Sequence, residues 1–247
     1  MSESFNTVMF AKQDGVAYVS LNRPNVLNAY NVEMRDEMWQ ILETIRDDAD
    51  IQVIILNGRG EKAFCVGADL SEFGSAPSQV VARQVRLERS VWELWLSIPK
   101  PFICAVHGYT LGSGLEMALL CDLRIAAEDA VFGLPETSLG MTPAAGGSQT
   151  LRRTVGLQKS LDLLFLNHRI NAKEALSIGL INRVVAPRDL MQVAHGFALD
   201  CVNKNAIALQ FIKQAVALGS DLTLQHALAL ESRLALRLFF ESGKGFD

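Results

Sequence analysis

Short apolar runs alternate with longer periodic segments along the chain. The runs are rich in β-branched residues and bounded by turn residues, so they predict strands. They lie at residues 16–21, 53–56, 63–65, 102–106, 123–126, 131–132 and 181–185. Apolar residues at helical spacing predict helices at residues 80–98, 150–166 and 171–178, and another after a candidate N-cap at Asn31. Alternating strands and helices indicate the α/β class, with a mostly parallel sheet covered by helices.

The strand pattern stops near Pro187. Three helices are predicted beyond it, at residues 190–202, 206–218 and 222–240. We therefore expect an α/β core over residues 1–187 and a C-terminal helical region over residues 188–247. The last helix is apolar on more than one face. That could be plain core, but a second apolar face favours a contact with another subunit.

Composition and charge exclude several classes of protein. With 247 residues, 49% of them hydrophobic, the chain can bury a large core. Its charges are dispersed and sum to −4, and no run of Lys or Arg marks a nucleic-acid-binding stripe. No apolar run reaches the ~18 residues of a membrane span, and the first residues do not resemble a signal peptide. We expect a cytoplasmic protein that binds neither nucleic acid nor membranes.

Cysteines and histidines give no sign of a metal or a disulfide framework. The cysteines lie far apart, without metal-ligand spacing, at Cys65, Cys104, Cys121 and Cys201. The histidines are not paired with a candidate nucleophile or a ligand set; they are His107, His168, His195 and His226. We therefore expect no metal and no redox cofactor.

Two glutamates in apolar surroundings are the first candidates for chemistry. Glu116 follows a glycine-rich turn, residues 108–114, and lies in the first turn of a predicted helix. Glu136 comes 136 − 116 = 20 residues later, after a proline. A carboxylate buried without a partner is unfavourable, and its pKa rises. Two such carboxylates favour acid–base chemistry.

Simpler interpretations of these residues stay open at this point. Glu116 alone could interact with the helix dipole, and Glu136 alone could be a loop carboxylate. The turn at residues 112–114 could be a plain tight turn, or the start of a dinucleotide-binding fingerprint whose third glycine is replaced by Met117. Asp69 could be a turn residue or a helix N-cap.

Four stretches, in order, carry a family resemblance. They are Asn22-Arg23-Pro24 through Asn28-Ala29, residues 63–70, residues 107–122, and residues 132–147. In their order and spacing they resemble the enoyl-CoA hydratase/isomerase (crotonase) superfamily. The resemblance implies a crotonase-like spiral of ββα units. It also implies that the C-terminal helical region serves oligomerisation, building homotrimers that often pair into homohexamers.

The resemblance also implies a substrate and a site. The substrate would be an acyl-CoA thioester, so coenzyme A enters with the substrate and no separate cofactor is needed. The backbone N–H groups of Ala68 and Ser113 would form an oxyanion hole, and Glu116 and Glu136 would hold a water and exchange protons with it. Further substrate-binding positions are implied at Val26, Leu27, Ala29, Ala63, Phe64, Val66, Gly67, Asp69, Leu70 and Gly112.

The chain departs from the family pattern in three places. Ser113 stands where glycine is usual, which adds a side chain beside a needed N–H, and Ala144 stands where glycine is frequent. A Lys or Arg often lies near residues 25–26 to meet the CoA phosphates, and here only Arg23 is close. The resemblance favours reversible hydration of a 2-enoyl-CoA. A Δ3-Δ2-enoyl-CoA isomerase, or a non-catalytic scaffold that binds acyl-CoA or RNA, is the alternative.

Overall fold

The computed structural model describes residues 5–78, 80–81, 84 and 88–242. The strands in this part are β1 Val8–Gln13, β2 Val16–Leu21, β3 Val53–Gly58, β4 Ala63–Cys65, β5 Phe102–Val106, β6 Tyr109–Leu111, β7 Leu123–Ala127, β8 Val131–Gly133, β9 Ile170–Asn171 and β10 Arg183–Val185. The helices are α1 Val32–Asp47, α2 Val91–Ser97, α3 Ser113–Leu120, α4 Gly147–Leu166, α5 Ala172–Ser177, α6 Leu190–Val202, α7 Ala206–Gly219 and α8 Leu224–Ser242.

The strands form two sheets. The larger sheet has the order β1-β2-β3-β5-β7-β10 and is parallel except for the β1–β2 hairpin. The smaller sheet has the order β4-β6-β8-β9, with only the β8–β9 pair antiparallel. The predicted parallel sheet is confirmed, and it is split in two because the chain alternates between the sheets.

That alternation is the repeating unit of the fold. Strand β5 of the large sheet leads into β6 of the small sheet and then into helix α3. Strands β7 and β8 repeat the step and lead into α4. The expected spiral of ββα units is therefore present, and each unit ends with a helix that begins beside the small sheet.

Both faces of the large sheet are covered, which explains its uninterrupted apolar strands. In β3, Ile54 and Leu56 belong to the main core together with α1, α2 and α3. Val53 and Ile55 point to the other face, where they pack with residues of α6. Helix α6, the first helix beyond Pro187, thus covers the large sheet. The division at residue 187 into a core and a C-terminal helical region remains a prediction.

Some elements differ from those the sequence predicts. Strand β1 was missed because only its first residue is buried, which leaves no apolar alternation. Strand β6 lies within residues 108–114, for which the glycines predict a turn. Helix α4 begins at Gly147 instead of residue 150, and Gly156 interrupts it with a φ of +80°. The single helix predicted at residues 80–98 is interrupted: residues 80, 81, 84 and 88 are helical, residues 89–90 are not, and α2 follows. Residues 82–83 and 85–87 of that prediction lie outside the described residues.

The last helix, α8, exposes apolar side chains to solvent in the single chain. Helix α8 contacts α7, and none of its residues up to 241 is buried within the single chain. Its exposed apolar residues include Leu224, Leu228, Leu236 and Phe240. In the described part of the chain, no helix is long and apolar enough to cross a membrane.

Asn28 holds together two loops that lead to the small sheet. Its side chain is fully buried, accepts a hydrogen bond from Arg23 N at 2.8 Å, and donates to Arg59 O and Ala63 O at 2.9 and 3.0 Å. Its φ of +56° is left-handed, a conformation that asparagine tolerates better than most residues. The loop after β2 and the loop before β4 are therefore fixed to each other through one amide.

Asn28→Ala should destabilise the protein, because it removes these three hydrogen bonds and leaves the buried carbonyl of Ala63 without this donor. We expect the free energy of unfolding to fall by about 3 kcal/mol in a urea titration. The control is Asn25→Ala in the same loop, where the exposed side chain should matter by less than about 0.5 kcal/mol. Equal effects of the two variants would contradict this role of Asn28.

Candidate active site

Glu116 is buried and held from one side. It lies in α3, its side chain is 2% exposed, and its own N–H donates to Gly112 O at 3.0 Å. Carboxylate oxygen Oε1 accepts hydrogen bonds from Ala145 N at 2.8 Å and from Gly147 N at 2.9 Å. The start of α4 and the loop before it therefore fix the orientation of this carboxylate.

Glu136 is buried without such support. It opens a short 3₁₀ turn, Glu136–Leu139, directly after Pro135, and it is 9% exposed. Its Oε2 is buried and has no hydrogen-bond partner within the described residues. Burial raises the pKa of Glu136, and the nearby charge of Glu116 raises it further. The pKa of Glu136 is thus shifted in the direction that favours its protonated form.

Glycines make room for both carboxylates. A Cβ on Gly112 would lie 3.0 Å from Glu136 Oε1, and φ of Gly112 is +52°. A Cβ on Gly147 would lie 2.9 Å from Glu116 Oε1. A side chain at either position would press on a carboxylate, so the apolar site can close tightly around the two acids only with these glycines.

Two backbone N–H groups meet close to the acids. Tyr30 N donates to Gly67 O at 2.8 Å, and Asp69 N donates to Tyr30 O at 2.9 Å, forming a parallel bridge between Tyr30 and Ala68. In such a bridge the N–H of the central residue points away from the partner strand. The Ala68 N–H therefore stays free for another acceptor.

The second N–H group belongs to Ser113, the first residue of α3. The first N–H groups of a helix have no acceptor inside the helix and favour a negative charge. Neither Ser113 N nor Ala68 N donates to another described residue. A Cβ on Gly67 would lie 3.6 Å from Ser113 N, so the two segments are in contact.

The other positions that the family resemblance implies for substrate binding differ in how exposed they are. Val26 and Leu70 are exposed, whereas Ala29 and Ala63 are buried. Phe64 is fully buried in the main core, so its side chain contacts other core residues. Leu27, Val66 and Asp69 are half-buried, and Gly67 and Gly112 are buried.

A cavity of about 390 Å³ lies beside the loop that follows β2. It is lined by Pro24, Asn25, Leu27, Arg59, Gly60, Glu61, Lys62 and Ala63. Arg59 and Lys62 are exposed, and neither forms an ion pair with a described residue. Two cations thus lie near the position where the family pattern has its basic residue.

Asp69 has two roles, of which the sequence indicated only one. Its Oδ1 accepts from Ser71 N at 3.2 Å, which confirms the interpretation as an N-cap. Its Oδ2 accepts from Arg23 Nη1 at 2.9 Å. The Ser71 hydroxyl and the Arg23 guanidinium hold the pKa of Asp69 below its usual range. Arg23, the cation nearest to the expected phosphate contact, is therefore engaged with Asp69.

Sequence reasoning missed the groups that hold the site in place. The N–H groups of Ala145 and Gly147, and the amide of Asn28, gave no side-chain signal of their role. Among the described residues, no group of three or more His, Cys, Asp or Glu side chains could hold a metal. The absence of a metal from the reaction remains a prediction.

Glu136→Gln should change how stability depends on pH. With a folded-state pKa above that of the unfolded chain, Glu136 destabilises the fold as pH rises from the unfolded value, about 4.3, to the raised value. Glutamine cannot ionise, so the variant should lose this decline. Urea unfolding at several pH values measures it, with the exposed Glu128→Gln as the control. Equal slopes for wild type and Glu136→Gln would contradict the raised pKa.

Comparison with known proteins places the chain in a family. The model of the enoyl-CoA hydratase/isomerase family matches residues 11–245. The short-chain-enoyl-CoA hydratase of Clostridium acetobutylicum is 40% identical over 227 residues, 92% of this chain and 87% of that protein. The crotonyl-CoA hydratase of Syntrophomonas wolfei is 36% identical over 230 residues, 93% of this chain and 88% of that one.

A solved structure agrees with the sequence relatives. The crystal structure of an enoyl-CoA hydratase from Bacillus anthracis superimposes with a TM-score of 0.88 at 36% identity, covering 93% of this chain and 89% of that chain. The spiral of ββα units and nearly the whole sequence therefore lead to one assignment: the chain belongs to the enoyl-CoA hydratase/isomerase family.

Proposed function

We propose that the protein adds water reversibly across the double bond of a 2-enoyl-CoA, giving a 3-hydroxyacyl-CoA. The observation that carries this proposal is the convergence of two buried glutamates on two free backbone N–H groups. Relatives named as hydratases support it. The family also includes isomerases, so the second carboxylate is the feature that favours hydration.

The N–H groups of Ala68 and Ser113 would bind the thioester oxygen. Negative charge grows on that oxygen when water adds at C3, because the electrons move through C2 into the carbonyl as an enolate. Fixed N–H donors stabilise this charge without reorganising, and losing one donor typically costs ~10²–10³ in rate. Ser113 adds the field of the α3 N-terminus.

The two glutamates would carry one proton between them before and after the reaction. Glu116, oriented by Ala145 N and Gly147 N, would accept a proton from the water as its oxygen attacks C3. Glu136, whose pKa is raised by burial, would give its proton to C2. The pair ends with one proton, now on Glu116, and the reverse reaction runs the same steps backwards. We propose that neither a metal nor a redox cofactor takes part.

The coenzyme A part of the substrate would lie along the cavity between the loop after β2 and the loop before β4. Arg59 and Lys62 are exposed there and could meet the phosphates. Asn25 carries no charge, and Arg23 is bound to Asp69. The cations of the second loop would thus replace the basic residue that the family pattern often has near residues 25–26.

The glutamate pair gives the sharpest test of the proposed reaction. Glu116→Gln and Glu136→Gln keep the shape and remove the carboxyl group that accepts or gives a proton, so each should lower kcat for crotonyl-CoA hydration by at least about 10²-fold. The double variant should lose little more than either single variant, because the residues act on one water. Loss of enoyl-thioester absorbance measures the rate.

The control for this test is Glu128→Gln, an exposed glutamate that should leave kcat unchanged. Circular dichroism checks that all variants fold. Hydration that survives Glu116→Gln, or a wild type that only interconverts 3-enoyl and 2-enoyl thioesters, would replace the hydratase proposal with the isomerase. A wild type that binds acyl-CoA without any turnover would indicate the non-catalytic scaffold.

We also propose that the protein assembles as a homotrimer or homohexamer through its C-terminal helices. Helix α8 leaves apolar residues exposed along its length, and an exposed apolar patch of this kind marks an interaction surface. Leu228→Asp should dissociate the assembly, since it puts a charge in the contact, whereas Lys173→Asp, exposed on α5, is the control. Light scattering measures the mass. A wild type that stays at the 27.1 kDa of one chain would contradict the assembly.

A further inference from the structure

The two N–H donors of the site are supported very differently. Ser113 is the first residue of α3, so the helix fixes its N–H. Ala68 lies in a loop between β4 and the 3₁₀ turn Leu70–Glu72, preceded by Gly67 with a φ of +107°. Among the described residues, the backbone contact that constrains its peptide is the bridge to Tyr30. The direction of the Ala68 N–H therefore depends on what holds the two sides of that bridge.

A single guanidinium group holds both sides. Arg23 Nη1 donates to Asp69 Oδ2 at 2.9 Å, and Asp69 directly follows Ala68. The same Nη1 donates to Ala29 O at 2.6 Å, and Ala29 directly precedes Tyr30. Arg23 thus joins the residue after the donor to the residue before its bridge partner, so that neither segment can shift without breaking a contact.

The backbone of Arg23 and the carboxylate of Asp69 are each held by a further hydrogen bond. The backbone N–H of Arg23 is held by Asn28 Oδ1, which belongs to the buried amide network of the same loop. On the other side, the Ser71 hydroxyl donates to Asp69 Oδ1 at 2.6 Å and turns the carboxylate towards Arg23. The ion-pair side chains are 21% and 16% exposed, less than those of the surface pair Lys12–Asp48, at 38% and 27%.

We propose that Arg23 and Asp69 are positioning residues for the reaction: they act through Ala68, by holding its N–H in the direction of the substrate oxygen. This inference rests on the proposed function, since it needs Ala68 to be an oxyanion donor. A partly exposed ion pair contributes little to stability. A donor displaced by a fraction of an ångström, however, weakens a stabilisation that exists only in the transition state.

A phosphate-binding role for Arg23 makes a different prediction. An arginine that binds a CoA phosphate contacts a part of the substrate that does not react, so its loss would raise KM and leave kcat unchanged. A positioning arginine affects mainly kcat, and its effect depends on Asp69. The two roles are therefore separable in one set of variants.

The experiment is a double-mutant cycle of Arg23→Met and Asp69→Asn on hydration of crotonyl-CoA. Each single variant should lower kcat by about 10-fold, part of the ~10²–10³ that a lost donor costs, while KM changes by less than about 3-fold. The double variant should be no slower than the slower single variant, since either change breaks the same contact. Arg23→Lys should recover part of kcat, because its ammonium can still reach Asp69.

Two further readouts exclude a merely structural effect. The thermal midpoint of each variant should stay within about 2 °C of the wild type, as for the control Lys12→Met in the surface pair. Bound acetoacetyl-CoA, a 3-ketoacyl thioester, should show a smaller enolate absorbance in Arg23→Met than in the wild type. This signal reports charge stabilisation at the thioester oxygen without any hydration.

The outcomes separate the two hypotheses. A KM increase at unchanged kcat, additive losses, or an unchanged enolate band would each overturn the positioning role. If the wild type fails to hydrate crotonyl-CoA but binds acetoacetyl-CoA as its enolate, and Arg23→Met reduces that band, the proposed hydration is wrong and the positioning role stands.

Discussion

The burial of two carboxylates in one apolar site is the constraint on which the rest of this structure depends. Ionised together in such a place, they would repel each other and lose their hydration. The structure separates their environments: Glu116 receives two backbone N–H bonds, and Glu136 receives none on its buried Oε2. Burial shifts the pKa of Glu136 upwards, in the direction that favours its protonated form, and the proposed mechanism uses the pair with a single proton.

The fold supplies this arrangement through its alternation between two sheets. The β5–β6 step brings the chain to the start of α3, which carries Ser113 and Glu116. The β7–β8 step then brings Glu136 against it, and the start of α4 returns with the N–H groups that hold Glu116. Each successive ββα unit thus adds one wall of the same site. These walls pack so closely that there is no room for a side chain at Gly112 or Gly147.

Much of this could be predicted from sequence, and the exceptions have a physical cause. Strands β3 and β5 were predictable because both of their faces are buried, so residues 53–56 and 102–106 are apolar throughout. The three C-terminal helices were predictable because their apolar residues recur at helical spacing. Strand β1 is an edge strand with one buried residue, so its sequence shows no alternation of apolar and polar residues. The implied site residues came from motifs, whereas Ala145, Gly147 and Asn28 act through backbone groups or a single amide that no pattern marks.

The pH dependence of kcat/KM for crotonyl-CoA hydration tests the central claim most directly, namely that the glutamate pair works with one proton. We predict a bell-shaped profile. The rate should fall as pH rises through the raised pKa of Glu136, since the proton for C2 is then lost, and it should fall at low pH when the pair takes up a second proton. A kcat/KM that keeps increasing as pH rises through that range would contradict the account, because it would show that Glu136 acts in its ionised form.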